Sequence, residues 1–404
     1  MEKVKIDLLP NYFVDEKGKF KKEEALNLCG KIAGVCYDEE GFKTLENEPE
    51  EKTIRRINRT LNSGHHSVYD HVCVSMNLQN ISKALAMVLN NEHQYTTSEK
   101  SARYTKILRK DNSRISLQEE SLYNKWVEIF RKEITKVYSY AYSEKQIIKL
   151  ARENARYLVT VFMPTTLIYT TSLRQINYIA SWMKEYMDSF NPYDSYERNL
   201  ALEMSEFISQ LESKNLLVEG LMNNEKHRQF SLFGENLAQK KDVFSDVYST
   251  TYEASWAYLA QAQRHRTLDY QMQRLNTPNE SKAFKCFIPP IIKDNSELVA
   301  EWIEDMKSVK DLHPQGELIL INEIGSYENF ILKCKERLCS AAQLETMLKT
   351  KEILTQYNEA LISSNDPLKE DIKQYLNGAR CTFKDFECKD HCQFKEGITL
   401  TRKI

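Results

Sequence analysis

The chain of 404 residues has almost no net charge: 56 Lys and Arg stand against 58 Asp and Glu, a formal balance of -2 at pH 7. That leaves no electrostatic case for nucleic acid or an anionic membrane surface as a partner. Long apolar runs are missing as well. The longest, Tyr157 to Tyr169, is interrupted by Thr160, Pro164, Thr165 and Thr166, and it falls short of the ~20 apolar residues a bilayer span needs. Nor does the amino terminus, with Glu2 and Asp7, carry the apolar stretch of a secretory signal, so a soluble, cytoplasmic protein is expected. Nine cysteines, an odd number scattered through a long chain, fit reduced thiols better than a disulfide framework. No segment is low in complexity. At this length a single hydrophobic core rarely suffices, which makes two domains of ordinary size the expectation.

What is present is a repeated grammar of strand and helix. Val72, Val74, Met76 and Leu78 alternate with Cys73, Ser75 and Asn77, and Ile81, Leu85, Val88 and Leu89 then recur at helical spacing. The same order returns where Val243, Phe244, Val247 and Tyr248 precede Ala254, Tyr258, Leu259 and Ala262. A second echo places a strand at Leu167 to Leu173 before a helix, and a strand at Leu318 to Ile321 before a helix through Phe330, Leu338 and Ala342. The pattern predicts an α+β fold in two tandem, diverged copies of one strand-helix-strand-helix unit. Residues 111–150 read as a helical insertion in the first copy, with Ser116 and Glu119 as its capping box and Trp126, Phe130, Ile134 and Val137 as its apolar face. The polar stretch Glu212 to Lys241 marks the boundary. It sets copy 1 at 1–215, copy 2 at 216–380 and a Cys-containing tail at 381–404.

Two short runs carry the chemistry. In Gln261 and Arg264-His265-Arg266 two permanent cations flank an imidazole, which suits a pyrophosphate. A solvated helix C-terminus is the bland reading, but Gln261 lies one turn earlier on the same face and favours a ligand role. Glu99, Ser101 and Arg103 offer a hydroxyl and a guanidinium fork for a phosphate monoester, although Glu99 near Lys100 and Arg103 also fits an exposed ion pair. Arg152 and Arg156, one turn apart, form either a surface stripe or part of a phosphate site. His65, His66 and His71 lack a carboxylate or thiolate at ligand spacing and read as hydrogen-bonding groups. Cys381, Cys388 and Cys392, with His391 between, are spaced by seven and four residues. That is loose for zinc, free thiols are the preferred reading, and no metal is assigned.

These residues resemble the flavin-dependent thymidylate synthases. Gly64-His65-His66-Ser67-Val68-Tyr69-Asp70-His71 is similar to that family's Gly-His-x-Ser/Thr-x-x-Glu-His, with Asp for Glu. Glu99-Lys100-Ser101-Ala102-Arg103-Tyr104 resembles its Glu-x-Ser-x-Arg-Tyr, and Ala155-Arg156 followed by Ser172-Leu173-Arg174 resembles its Ala-Arg and Asn-x-Arg pair, with Ser for Asn. Where the family has Arg-His-Arg, however, the first half holds Asn91, Glu92 and His93. The second half is the converse. It has Gln261, Arg264-His265-Arg266, and Arg337 with Ala342-Gln343-Leu344-Glu345, but Arg274 replaces the closing Ser and Lys310 stands where the Ala-Arg arginine belongs. Met183 is the first half's counterpart of Arg337. Each half keeps what the other lacks.

In that family the sites lie between subunits of a homotetramer, so the resemblance implies a fused, asymmetric pseudodimer that assembles as a homodimer. It implies methylation of dUMP to dTMP with FAD, NADPH and methylenetetrahydrofolate, and no protein nucleophile. Glu99, Ser101, Ala102, Arg103 and Arg156 would hold the nucleotide from one half, and Gln261, Arg264 and Arg337 from the other. Arg264 and Arg337 would stabilise charge on the uracil, with His65 at the flavin's open face. Ser67, Asp70, Glu99, Ser172, Arg174 and Tyr178, together with Arg264, His265 and Arg266, would line FAD. The substitutions at Asp70 and Ser172 leave open a different pyrimidine nucleotide or product, such as a hydroxymethyl group. Two decaying copies that only bind a nucleotide would also show split motifs.

Overall fold

The structure, a computed structural model, describes residues 3–101, 107, 114–225, 227–264, 266–277, 280–281, 283–389, 392 and 394–404. The chain is mixed α and β and divides into two compact units, Met1–Lys100 with Phe162–Phe230, and Ser101–Val161 with Ser231–Ile404. Among the described residues no helix is long and apolar enough to cross a membrane.

The first unit is built on four antiparallel strands, β1 (Lys5–Leu8), β2 (Cys73–Ser82), β3 (Tyr95–Glu99) and β4 (Pro164–Ser172), in the order β1-β2-β4-β3. Period-two alternation buries Val74, Met76 and Leu78 on one face of β2, as read from the sequence. A register shift between Gln79 and Ile81, where Asn80 takes a positive φ of 58°, lets the strand end at Ser82. Ser82 then caps the helix Lys83–Leu89 by accepting from Leu85 N. The carboxylate of Glu203, on the helix Ser195–Ser213, takes both the backbone N–H and the hydroxyl of Ser82, each at 2.5 Å. Ser172, at the end of β4, caps the helix Leu173–Ser189 in the same way.

The second unit carries β5 (Val243–Phe244), β6 (Val247–Ser255), β7 (Asp269–Gln273), the small hairpin β8 (Asn276–Thr277) and β9 (Glu280–Ser281), and β10 (Leu318–Ser326). Its main sheet has the order β5-β6-β10-β7, again antiparallel. Ser255 caps the helix Trp256–Ala262, and Ser326 caps Tyr327–Arg337. Glu345, the second residue of the helix Leu344–Ser363, grips Ser255 N at 2.8 Å and Ser255 Oγ at 2.6 Å. This is the same contact that Glu203 makes with Ser82.

Several sequence expectations change on folding. Residues 111–150 contain the helices Leu117–Tyr138 and part of Glu144–Ala155, and these belong to the second unit, although they lie in the first half of the sequence. The capping box of Ser116 and Glu119 is present. Trp126 packs edge-on against Trp302 at 4.8 Å and donates to Asp305 at 2.7 Å, which ties this hairpin to the helix Ser296–Ser308. Glu119 also accepts from Thr160 N at 2.7 Å. Trp126, Phe130 and Ile134 are buried, but Val137 is exposed and Tyr138 takes the fourth core place. The boundary therefore differs from 1–215 and 216–380, because aromatic packing at long sequence separation overrides chain order. Residues 381–404 are not a separate tail either: Arg380 N donates to Leu338 O, Ala379 N to Ile398 O and Lys403 N to the Tyr138 hydroxyl, all within the second unit. Val243 to Tyr248 is a tight hairpin rather than one strand, with Val243 facing Ser249 across it. The late helix stops at Arg337, and a new one begins at Leu344.

Candidate functional site

In the second unit, two of the predicted site residues are neighbouring cations. Arg337 closes the helix Tyr327–Arg337, and Arg264 sits in the turn after the helix Trp256–Ala262, where its N–H returns to Gln261 O. Burial holds the Arg337 guanidinium below its ordinary pKa, opposed by Glu336 and Tyr270 and helped to a smaller degree by the charge of Arg264. The Arg337 side chain is 19 % exposed and its nearest carboxylate oxygen, on the exposed Glu336, lies 3.7 Å away. Its Nε is buried and has no hydrogen-bond acceptor among the described residues. A buried donor of this kind costs about 1–3 kcal/mol until an acceptor arrives. Gln261 is half-buried one turn before Arg264, and Arg266 is exposed. His265, Ala102 and Arg103 lie outside the described residues.

Arg156 is buried at the end of the helix Glu144–Ala155, and Ser101 is half-buried. Both belong to the same compact unit as Gln261, Arg264 and Arg337. Beside Arg156, the Tyr157 hydroxyl donates to Glu345 at 2.9 Å and accepts from Gln343 Nε2 at 2.6 Å. Gln343 and Glu345 thus spend the Ala-Gln-x-Glu run on internal bonds. Burial raises the pKa of Glu345, while the Ser255 and Tyr157 donors oppose the shift.

The first unit gathers a second set. Asp70 accepts from Ser172 Oγ at 2.5 Å and from Arg174 Nε at 3.1 Å, with Arg174 Nη2 at 2.5 Å from its other oxygen. The Arg174 guanidinium also lies 5.8 Å from the centre of the Tyr178 ring. Four predicted site residues are brought together here: Asp70 from the Gly64–His71 run, Ser172 and Arg174 from the Ser172-Leu173-Arg174 run, and Tyr178. His65 and Ser67 are exposed. His66, read from the sequence as a hydrogen-bonding group but not as a site residue, is buried, with Nδ1 2.8 Å from the Tyr178 hydroxyl and Nε2 3.0 Å from Leu61 O. Only the doubled histidine signalled that one of the pair faces inward. Glu99 is not an exposed ion-pair member. Its carboxylate is buried, bonded to Lys83 Nζ and to Thr165 Oγ1.

Counting from the caps, Ser82 matches Ser255 and Ser172 matches Ser326. Asn91, Glu92 and His93 then fall opposite Arg264, His265 and Arg266, and Met183 falls opposite Arg337. The chemistry at these places is inverted. Glu92 is buried and takes Arg228 Nη2 at 2.5 Å, while the Arg228 guanidinium stacks 3.7 Å over the Trp182 ring. The first unit fills its counterpart of the cation site with an arginine of its own. Among the described residues, no group of three or more His, Cys, Asp and Glu side chains is placed to hold a metal ion.

The family described as thymidylate synthase complementing protein matches residues 20–184. That segment contains Asp70, Glu99, Ser101, Arg156, Ser172, Arg174 and Tyr178 and stops short of Gln261. No curated protein matches the chain. Among solved structures, a UMP/dUMP methylase PolB from Streptomyces cacaoi bound with 5-Br dUMP is similar at 13 % identity and a TM-score of 0.34, covering 55 % of this chain and 94 % of that one. Thymidylate Synthase X from Helicobacter pylori with FAD and dUMP is similar at 15 % identity and a TM-score of 0.29, covering 52 % of this chain and 98 % of that one.

Proposed function

With residues 20–184 belonging to the thymidylate synthase complementing protein family, we propose that the chain is a FAD-dependent enzyme that methylates dUMP to dTMP. Methylenetetrahydrofolate and NADPH are its co-substrates. The observation that carries this reading is the pair of Arg264 and Arg337, two cations whose charges act on one another, with a buried Nε donor of Arg337 that lacks an acceptor among the described residues. Such a pair suits a ligand that is anionic or becomes so during reaction. Gln261, Arg264 and Arg337 face the uracil, where the two guanidinium groups stabilise negative charge on the carbonyls as C5 becomes nucleophilic. Glu99, Ser101, Ala102, Arg103 and Arg156 bind the remainder of the nucleotide, with the phosphate on Ser101, Arg103 and Arg156.

Ser67, Asp70, Ser172, Arg174, Tyr178, Glu99, Arg264, His265 and Arg266 hold the flavin, and His65 borders its open face. The mutual bonds of Asp70, Ser172 and Arg174 support this assignment, since each fixes the others' orientation. Bound FAD supplies the hydride that completes the methyl group. The chain's own side chains bind, orient and polarise.

The tandem build is supported by the identical strand orders, by serine caps at four matching helix starts, and by Glu203 and Glu345 gripping equivalent caps. Each chain then provides one complete set of motif residues, and two chains assemble as a homodimer in the cytoplasm. One observation favours a second reading, in which another pyrimidine nucleotide is modified. Ser172 and Asp70 replace the family's Asn and Glu, yet bond to one another.

The test is titration of the purified protein with FAD and FMN, followed by dUMP, uridine and dCMP. The proposal expects FAD to bind in preference to FMN, and dUMP to stabilise the FAD-bound protein where uridine does not. Absence of FAD binding rejects a flavoenzyme, equal binding of uridine rejects the phosphate assignment, and tighter binding of dCMP selects the second reading.

A further inference from the structure

Behind Arg337 lies a buried ion pair that the proposed chemistry does not use. Lys333 stands one turn earlier on the same helix, and its Nζ is 2.6 and 2.8 Å from the two carboxylate oxygens of Glu323 on β10 and 3.1 Å from the Tyr258 hydroxyl. Both charged side chains are fully buried. Glu323 also accepts from Tyr248 at 2.9 Å and Tyr252 at 2.6 Å. Burial, with the nearby Glu323 charge second, pushes the Tyr248, Tyr252, Tyr258 and Tyr270 hydroxyls well above their ordinary pKa, so all four stay neutral. Arg337 lies one helical turn beyond Lys333 on the same face of the helix, and its charge is felt at Lys333, Tyr258 and Tyr270.

The fold does not require the pair. In the first unit the place of Glu323 on the strand is taken by Tyr169 and that of Lys333 on the helix by Ile179, both apolar core positions, and the same sheet and helix form. A buried ion pair is weak as a source of stability in any case. It occurs in the unit that has Arg337 and is missing where Met183 stands instead. With Lys333 removed, the buried Glu323 carboxylate would lose its cation, and Arg337, one helical turn beyond Lys333, is the next cation on that face of the helix.

We propose that Lys333 is a positioning residue that saturates Glu323 and so keeps Arg337 from being captured by it, leaving the guanidinium for an anionic ligand. The dUMP arm of the test rests on the function proposed above.

In Lys333→Met, Glu323 pairs with Arg337, and the FAD-bound protein should bind dUMP at least ~10-fold more weakly. Adding Glu323→Gln should restore most of that loss. In an Arg337→Met background, Lys333→Met should cause no further loss, a coupling that a merely structural lysine would not give. Unchanged affinity in Lys333→Met, or equal losses in both backgrounds, overturns the proposal. If Lys333→Met does not fold, the neutral pair Lys333→Met/Glu323→Gln decides: affinity near the parent's supports the proposal, and a loss beyond ~10-fold overturns it. A parent that binds no dUMP refutes the function but not this inference. Modification of Arg337 by phenylglyoxal, followed by mass spectrometry, then serves as the readout. Slower modification in Lys333→Met supports the proposal, and equal rates overturn it.

Discussion

Arg337→Met should move stability and ligand affinity in opposite directions. The substitution installs the residue found at the counterpart position, Met183, and removes a cation pressed below its ordinary pKa by burial and by Arg264. Without ligand, the parent carries the cost of a buried Nε donor that has no acceptor among the described residues, about 1–3 kcal/mol. An apolar side chain of similar length relieves that cost. The melting temperature of the free protein should therefore rise, by about 2–4 °C for each kcal/mol in a unit of this size. With ligand the sign reverses. One charge-assisted contact is lost, about 1.5–3 kcal/mol, which weakens dUMP binding by roughly 10- to 150-fold. Calorimetric melting of the free protein and titration of dUMP into the FAD-bound protein measure the two effects separately. A gain in stability bought at the expense of binding marks a functional site. The reasoning fails if the variant melts lower than the parent, or if its dUMP affinity stays within about twofold.

Two further outcomes follow from the first unit. Glu48 is chelated by Arg56, with Nη1 at 2.7 Å and Nη2 at 2.9 Å, and Arg56, aided by Thr53, lowers its pKa to about 2. The folded value lies below the unfolded one of about 4.3, so this stabilisation is present above that pH and lost as pH falls towards 2. Glu48→Gln should cost about 1.5–3 kcal/mol at pH 7, and its acid unfolding curve should be flatter over that window; parallel parent and variant curves would refute the linkage. FAD should saturate at one per chain, because in the first unit Glu92, bound by Arg228, stands within the counterpart of the Arg264-His265-Arg266 run, and Met183 stands opposite Arg337. Two FAD per chain, measured by absorbance against protein concentration, would show that Arg228 closes nothing.

Local chemistry was legible from the sequence alone. Period-two alternation located β2, β-rich composition and the echo between the two halves located β4 and the start of β10, and the Ser116 and Glu119 capping box marked a helix start, because these signals depend on neighbours within a few residues. The complementary motif halves were legible for the same reason, as was the grouping of Asp70, Ser172, Arg174 and Tyr178, though only through family resemblance. Contacts between distant residues were decided by the tertiary structure. Trp126 meets Trp302, which carries the hairpin of Leu117–Tyr138 and Glu144–Ala155 out of the half of the sequence it comes from. Arg228 reaches Glu92 and turns a missing cation site into a filled one. His66, not His65, faces inward to Tyr178. Lys333 and Glu323 are ordinary charges in a helix and a strand when read as sequence, since nothing local says that both lose water on folding. Periodicity shows which face of an element is apolar, but what that face meets depends on the packing of the whole unit, and that packing determines which charges are paired and which remain for a ligand.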